Sequence, residues 1–113
     1  VRHAMGRRGI VCIVERPGLI HQGDQAEVWA YSPAAMKDAR SFAYRRQISI
    51  VSVEECLEIA GRLNIPAVLP EWLGANIALS GLPDLTSLRE GSRIVFPSGA
   101  SLLSEGENEP GMG

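Results

Sequence analysis

Turn-forming pairs divide this chain into apolar runs too short to be anything but strands. Pro17-Gly18, Gly23-Asp24, Pro83-Asp84, Gly91-Ser92 and Pro97-Ser98-Gly99 each bring together residues that fix φ near a turn value or accept positive φ. Between them lie Gly9–Glu15 (Gly-Ile-Val-Cys-Ile-Val-Glu), Ala26–Tyr31, Arg93–Phe96 and Ala100–Leu103. Gln47–Val51 adds a further β-branched run after a linker-like stretch, Ser32–Tyr44, that holds Pro33 and mixed charge. Gly9–Glu15 is almost wholly apolar and reads as a strand buried on both faces. In Ala26–Tyr31, alternation places Ala26, Val28 and Ala30 on one face and Glu27, Trp29 and Tyr31 on the other.

Only one segment carries a full helix grammar. Ser52-Val53-Glu54-Glu55 is a capping box, in which Ser52 satisfies an orphan helix N–H and Glu55 reaches back to the Ser52 N–H. Val53, Cys56, Leu57, Ala60 and Leu63 then line one helical face, and Asn64 and Pro66 end the helix. Two acidic residues in the first turn and Arg62 in the last suit the macrodipole. Many short strands with one helix imply a mainly β domain: a small closed or partly closed β-barrel with one clear amphipathic helix. At 113 residues, one domain is expected.

The residue totals narrow the function. The net charge of −2 argues against a general nucleic-acid binder. The positive charge is ten Arg against the single Lys37, clustered at Arg7–Arg8 and Arg45–Arg46. Arg suits planar recognition of carboxylate or phosphate, although solvated strand ends explain such pairs equally well. Cys12 and Cys56 have no metal-ligand spacing and read as small core residues. No run approaches a membrane span, and no apolar leader begins the chain, so a cytoplasmic protein without membrane association is expected. His3 and His21 lie far apart, His21 on an expected surface turn and His3 beside Arg7 and Arg8. No metal site is expected.

The most distinctive stretch is Pro70–Gly81 (Pro-Glu-Trp-Leu-Gly-Ala-Asn-Ile-Ala-Leu-Ser-Gly). It reads as a helical turn, a glycine stop and a strand. A buried or half-buried Asn76 there must find partners, so it either pins a loop or faces a ligand. The tail Ser104–Gly113, with three Glu among glycines, reads as a solvated loop.

From Leu73 to Gly111 the chain resembles a MOSC domain, the module named for the C-terminal part of molybdenum-cofactor sulfurases. The resemblance rests on Gly74-Ala-Asn76-Ile-Ala-Leu-Ser-Gly81-Leu, Leu88-Arg-Glu-Gly91-Ser-Arg-Ile94 and Glu107-Asn108-Glu-Pro110. Gln47–Glu55 looks like the family's early strand and following helix. Arg7–Val11, through Pro17-Gly18 to Gly23-Asp24, looks like its last strands. Against the family the order looks circularly permuted, or spliced from separate fragments: 1–31 resembles the C-terminal strands, 32–44 a linker, and 45–113 the N-terminal and central part. The family's Asn-x-Pro segment usually leads into a cysteine thought to carry sulfur. Here Asn108-Glu109-Pro110 is followed by Gly111, which supplies no thiolate.

The resemblance implies binding of molybdenum cofactor or a related anionic ligand, in sulfur transfer or in reduction of N-hydroxylated compounds. The family's wider associations are with molybdenum-ion and pyridoxal-phosphate binding. A cysteine desulfurase or a molybdoenzyme is the implied partner. Asn76, Asn108 and Glu109 would orient polar ligand groups. Arg7, Arg8 and Arg46, with His3 nearby, would face phosphate or carboxylate. The competing roles are loop pinning for the two Asn and solvation for the rest. The alternative functional reading is a non-catalytic β-barrel interaction module or a rearranged scaffold lacking the sulfur-carrying cysteine. Rewiring could also leave an apolar strand exposed to pair with a second copy as a homodimer.

Overall fold

The computed structural model describes residues 8–29 and 47–108. Its core is one six-stranded sheet. The strands are β1 (Ile10–Arg16), β2 (Glu27–Trp29), β3 (Gln47–Ser52), β4 (Ile77–Leu79), β5 (Arg93–Val95) and β6 (Ser101–Glu107), in the spatial order β2-β5-β6-β1-β3-β4. All pairings are antiparallel except β3 with β4. That parallel pair is joined through α1 (Val53–Leu63), as a parallel crossover requires. Among the described residues the architecture is thus mainly β with one α-helix, as the turn spacing implies. The segment 32–44 and its expected linker role lie outside the described residues.

The inward face of the curled sheet carries the larger core. Ile10, Cys12, Ile50, Ile94, Phe96 and Leu102 are buried together with Leu85 and Ala100. The alternation is a strand's own: Ile10, Cys12 and Val14 of β1 face inward with Ile48 and Ile50 of β3. On the other face of β3, Val51 packs with Cys56 and Ile59 of α1 and with Leu73.

The tail differs from its expected state. Ser104–Glu107 is not a solvated loop but the second half of β6, and Ser104 is fully buried. β6 lies between β5 and β1, so the backbone bonds of this acidic, glycine-bearing stretch are made in the sheet. Its composition reflects only the outward positions, where Glu107 is exposed.

The helix is also rotated from its expected orientation. Its buried residues are Glu55, Cys56, Ile59 and Ala60, whereas Val53 and Leu57 are exposed. Ser52 caps as expected, accepting from the Glu55 N–H at 3.2 Å. The Glu55 carboxylate, however, is aimed across the fold. It accepts from the Thr86 hydroxyl at 2.7 Å and the Thr86 N–H at 3.2 Å. Burying that carboxylate turns its side of the helix inward. Asn64 ends the helix in the left-handed region (φ 56°), the C-cap conformation its sequence suggested.

Two glycines matter for different reasons. Gly9 has φ 91°, and a Cβ there would collide with the Ile50 carbonyl. Its N–H donates to Thr86 Oγ1 at 3.0 Å, extending the Glu55–Thr86 network into β1. Gly18 does not adopt the positive φ expected of its turn. Its constraint is space, since a Cβ would lie 2.9 Å from Ala100 Cβ.

Candidate functional site

Asn76 and Asn108 converge on a residue that the sequence did not single out, Ser49. Asn76 follows the 3₁₀ turn Pro70–Leu73, which ends at Gly74 with φ 72°. That stop leads the chain into β4 beside β3. The Asn76 N–H donates to the Ser49 carbonyl at 2.9 Å, and Asn76 Oδ1 accepts the Ser49 N–H at 2.8 Å. From the other side, Asn108 Nδ2 makes a long contact to Ser49 Oγ at 3.4 Å. The Asn108 N–H donates to the Gly9 carbonyl at 2.9 Å. Asn76 therefore pins a loop, and its partner among the described residues is Ser49. It is also exposed rather than half-buried, because its side chain lies at the end of an edge strand.

Arg8 immediately precedes Gly9. Its Nε is buried and has no hydrogen-bond partner among the described residues. A buried N–H without an acceptor carries a desolvation cost that a bound anion would remove. Of the expected ligand-binding residues, Asn76 and Asn108 thus both meet Ser49, and Asn108 is tied to Gly9, the residue that follows Arg8. His3, Arg7, Arg46 and Glu109 lie outside the described residues. Ser49 had a readable signal: it interrupts Gln-Ile-Ser-Ile-Val, and alternation puts it opposite the inward Ile48 and Ile50. Nothing local announced Thr86 as a buried network member.

The thiols do not belong to this cluster. Cys12 and Cys56 are free and buried. Burial, with the nearby Glu105 charge, pushes the Cys12 thiol up to about 12. Burial and Glu55 also raise Cys56. Raised in this way, both thiols stay protonated at neutral pH, which disfavours a nucleophilic role. Among the described residues no group of three or more His, Cys, Asp or Glu could hold a metal ion, and no helix is long and apolar enough to cross a membrane.

A second polar group lies on the outward face at the opposite edge. Arg93 grips Glu15 through two bonds of 2.7 and 2.6 Å, and the Ser101 hydroxyl donates to the same carboxylate at 2.7 Å. Burial pushes the Glu15 carboxyl up, but the Arg93 and Ser101 bonds and the charges of Arg93 and Arg16 outweigh it and hold it below its ordinary value. Arg93 also stacks 5.7 Å from the ring centre of the half-exposed Trp29. With its fork occupied, Arg93 acts as a strand tie across β5, β1 and β6.

Comparison with known proteins agrees with the resemblance drawn above. The family model described as the MOSC domain matches residues 37–111. YuaD of Bacillus subtilis strain 168, provisionally named a metal-sulfur cluster biosynthesis protein, is 60% identical over 94 residues, which are 83% of this chain and 48% of that protein. The chain therefore spans about half the length of the curated relative it matches. A crystal structure of YuaD from Bacillus subtilis superposes with a TM-score of 0.53 at 39% identity, covering 92% of this chain and 66% of that one.

Proposed function

The chain belongs to the MOSC domain family, and on that premise we propose that it is an anion-binding unit in metal-sulfur cofactor metabolism, holding its ligand at the Arg8–Ser49–Asn108 cluster. The observation that carries this reading is the buried Arg8 Nε, which has no hydrogen-bond partner among the described residues; the next residue, Gly9, anchors Asn108 through its carbonyl. The donor set is Arg N–H, amide N–H and hydroxyl, which suits an oxyanion or the phosphate of a pterin cofactor. Asn76 has spent its acceptor on Ser49 and serves as a positioning residue.

Molybdenum cofactor is the ligand that family membership suggests, and the cluster fits its anionic end. When bound, the cofactor would supply the metal and sulfur chemistry. This chain's residues would bind and orient it. Sulfur transfer through a cysteine of these 113 residues is disfavoured, because both thiols are buried and protonated. A cysteine desulfurase or molybdoenzyme partner would then supply or receive the sulfur.

Calorimetric titration of the protein with molybdate and with inorganic phosphate tests the reading. A saturable heat that disappears in Arg8→Gln, with the melting temperature retained, is the expected result. No saturable heat, or an undiminished one in Arg8→Gln, defeats it. The second reading, a non-catalytic interaction module, is favoured by the exposure of Trp72 and Leu57, each 62% accessible on the helix side of the sheet. Scattered single apolar residues are ordinary, so it ranks below the first.

A further inference from the structure

On the inward face, opposite Ser49, the sheet leaves an open cavity of about 500 Å³. Val14 of β1, Ile48 of β3, Ile77 of β4 and Leu102 of β6 form its walls. The connection after β1 forms one side, with Gly18 packed so closely on Ala100 that no Cβ fits between them. The volume lies within the range of small-molecule pockets.

The chemistry of the lining is lopsided. Apart from Arg16, no lining side chain among the described residues can donate or accept a hydrogen bond. A sugar or nucleotide placed here would leave its hydroxyls or base edges unpaired, which is costly. An aliphatic chain would meet only aliphatic groups. Arg16, at the end of β1, is exposed, and its guanidinium makes no hydrogen bond or ion pair among the described residues. Its charged neighbour Glu15 is tied to Arg93 and Ser101. One cation at an otherwise aliphatic cavity specifies a ligand with an apolar body and one anionic end.

We propose that this cavity binds an amphipathic carboxylate, its alkyl chain against Val14, Ile48, Ile77 and Leu102 and its head group on Arg16. The site is separate from the Ser49 cluster, because adjacent residues of β3 face opposite sides of the sheet. Binding here is independent of the anion-binding reading, and either can fail alone.

Decanoate and decanol, titrated into the protein under methyl NMR, provide the test. Saturable decanoate shifts confined to the methyls of Val14, Ile48, Ile77 and Leu102 are expected, with decanol binding more weakly. Arg16→Gln should weaken decanoate about tenfold and leave decanol unchanged. Ile77→Trp, which fills the cavity, should abolish both. Should that variant fail to fold, the wild-type shift map still decides. The proposal is overturned by the absence of saturation, by equal decanoate affinity in Arg16→Gln, or by shifts centred on the exposed Leu57 and Leu69.

Discussion

Asn76 and Ser49 face each other as the next step of the parallel pairing between β4 and β3, but one of their two bonds is made by a side chain. Ile77 pairs with Ile50, so Asn76 falls opposite Ser49. The Asn76 backbone donates to the Ser49 carbonyl, while its Oδ1 replaces a strand carbonyl in accepting the Ser49 N–H. Asn76→Ala should therefore cost about 1 kcal/mol, the net worth of one hydrogen bond at an exposed site. Asn76→Asp retains the acceptor and should cost less. Urea denaturation of the three proteins gives the comparison, and an equal loss in both variants would count against the bond.

Gly9 should tolerate no substitution. Gly9→Ala forces a side chain into the Ile50 carbonyl at φ 91°. A loss above about 3 kcal/mol is expected, combining strain with a broken Thr86 contact. Gly23 has nearly the same φ (90°) but open space around it. Gly23→Ala isolates the backbone strain and should cost about 1 kcal/mol. Similar losses for the two would show that the close approach to β3 is unimportant.

Acid should loosen the link between α1 and the loop after β4. Glu54 accepts from the Gly81 N–H at 3.0 and 2.9 Å and from the Leu82 N–H at 3.3 Å. The Gly81 bond above all holds its carboxyl below the ordinary 4.5. The unfolded chain then binds the proton more readily. The stabilisation is complete above pH 4.5 and is lost as pH falls through the lower folded value. Glu15 adds to the same slope. Glu54→Gln should flatten the acid limb of a stability–pH curve, and an unchanged limb would refute the assignment.

The Cys12 thiol gives the opposite sign. Its value rises from 9.0 unfolded to about 12 folded. Its contribution is intact below pH 9 and falls as pH climbs toward 12, because the unfolded thiol ionises first. Cys12→Ala should remove that alkaline slope. Ellman's reagent should react with neither thiol in the native protein at neutral pH and with both in denaturant. Rapid native labelling of either would reopen thiol chemistry.

Local sequence accounts for the strand and turn pattern, the Ser52 cap, the Asn64 stop, the stop at Gly74 and the burial of both cysteines. These features depend on neighbours along the chain: φ preferences, capping groups and alternation act within a few residues. It also carried the family, through short motifs around Asn76 and Asn108. Long-range packing is what turns Glu55 inward to Thr86, leaves Leu57 exposed and makes the acidic stretch Ser104–Glu107 an interior strand. It alone placed Ser49 between the two asparagines and left Arg8 Nε without a partner among the described residues. Those outcomes depend on contacts such as Glu55–Thr86, Asn76–Ser49 and Asn108–Ser49, whose members lie 31, 27 and 59 residues apart. Local preference cannot specify such a meeting. Burial of polar groups can, because each buried donor or acceptor must be matched by whatever the fold brings beside it.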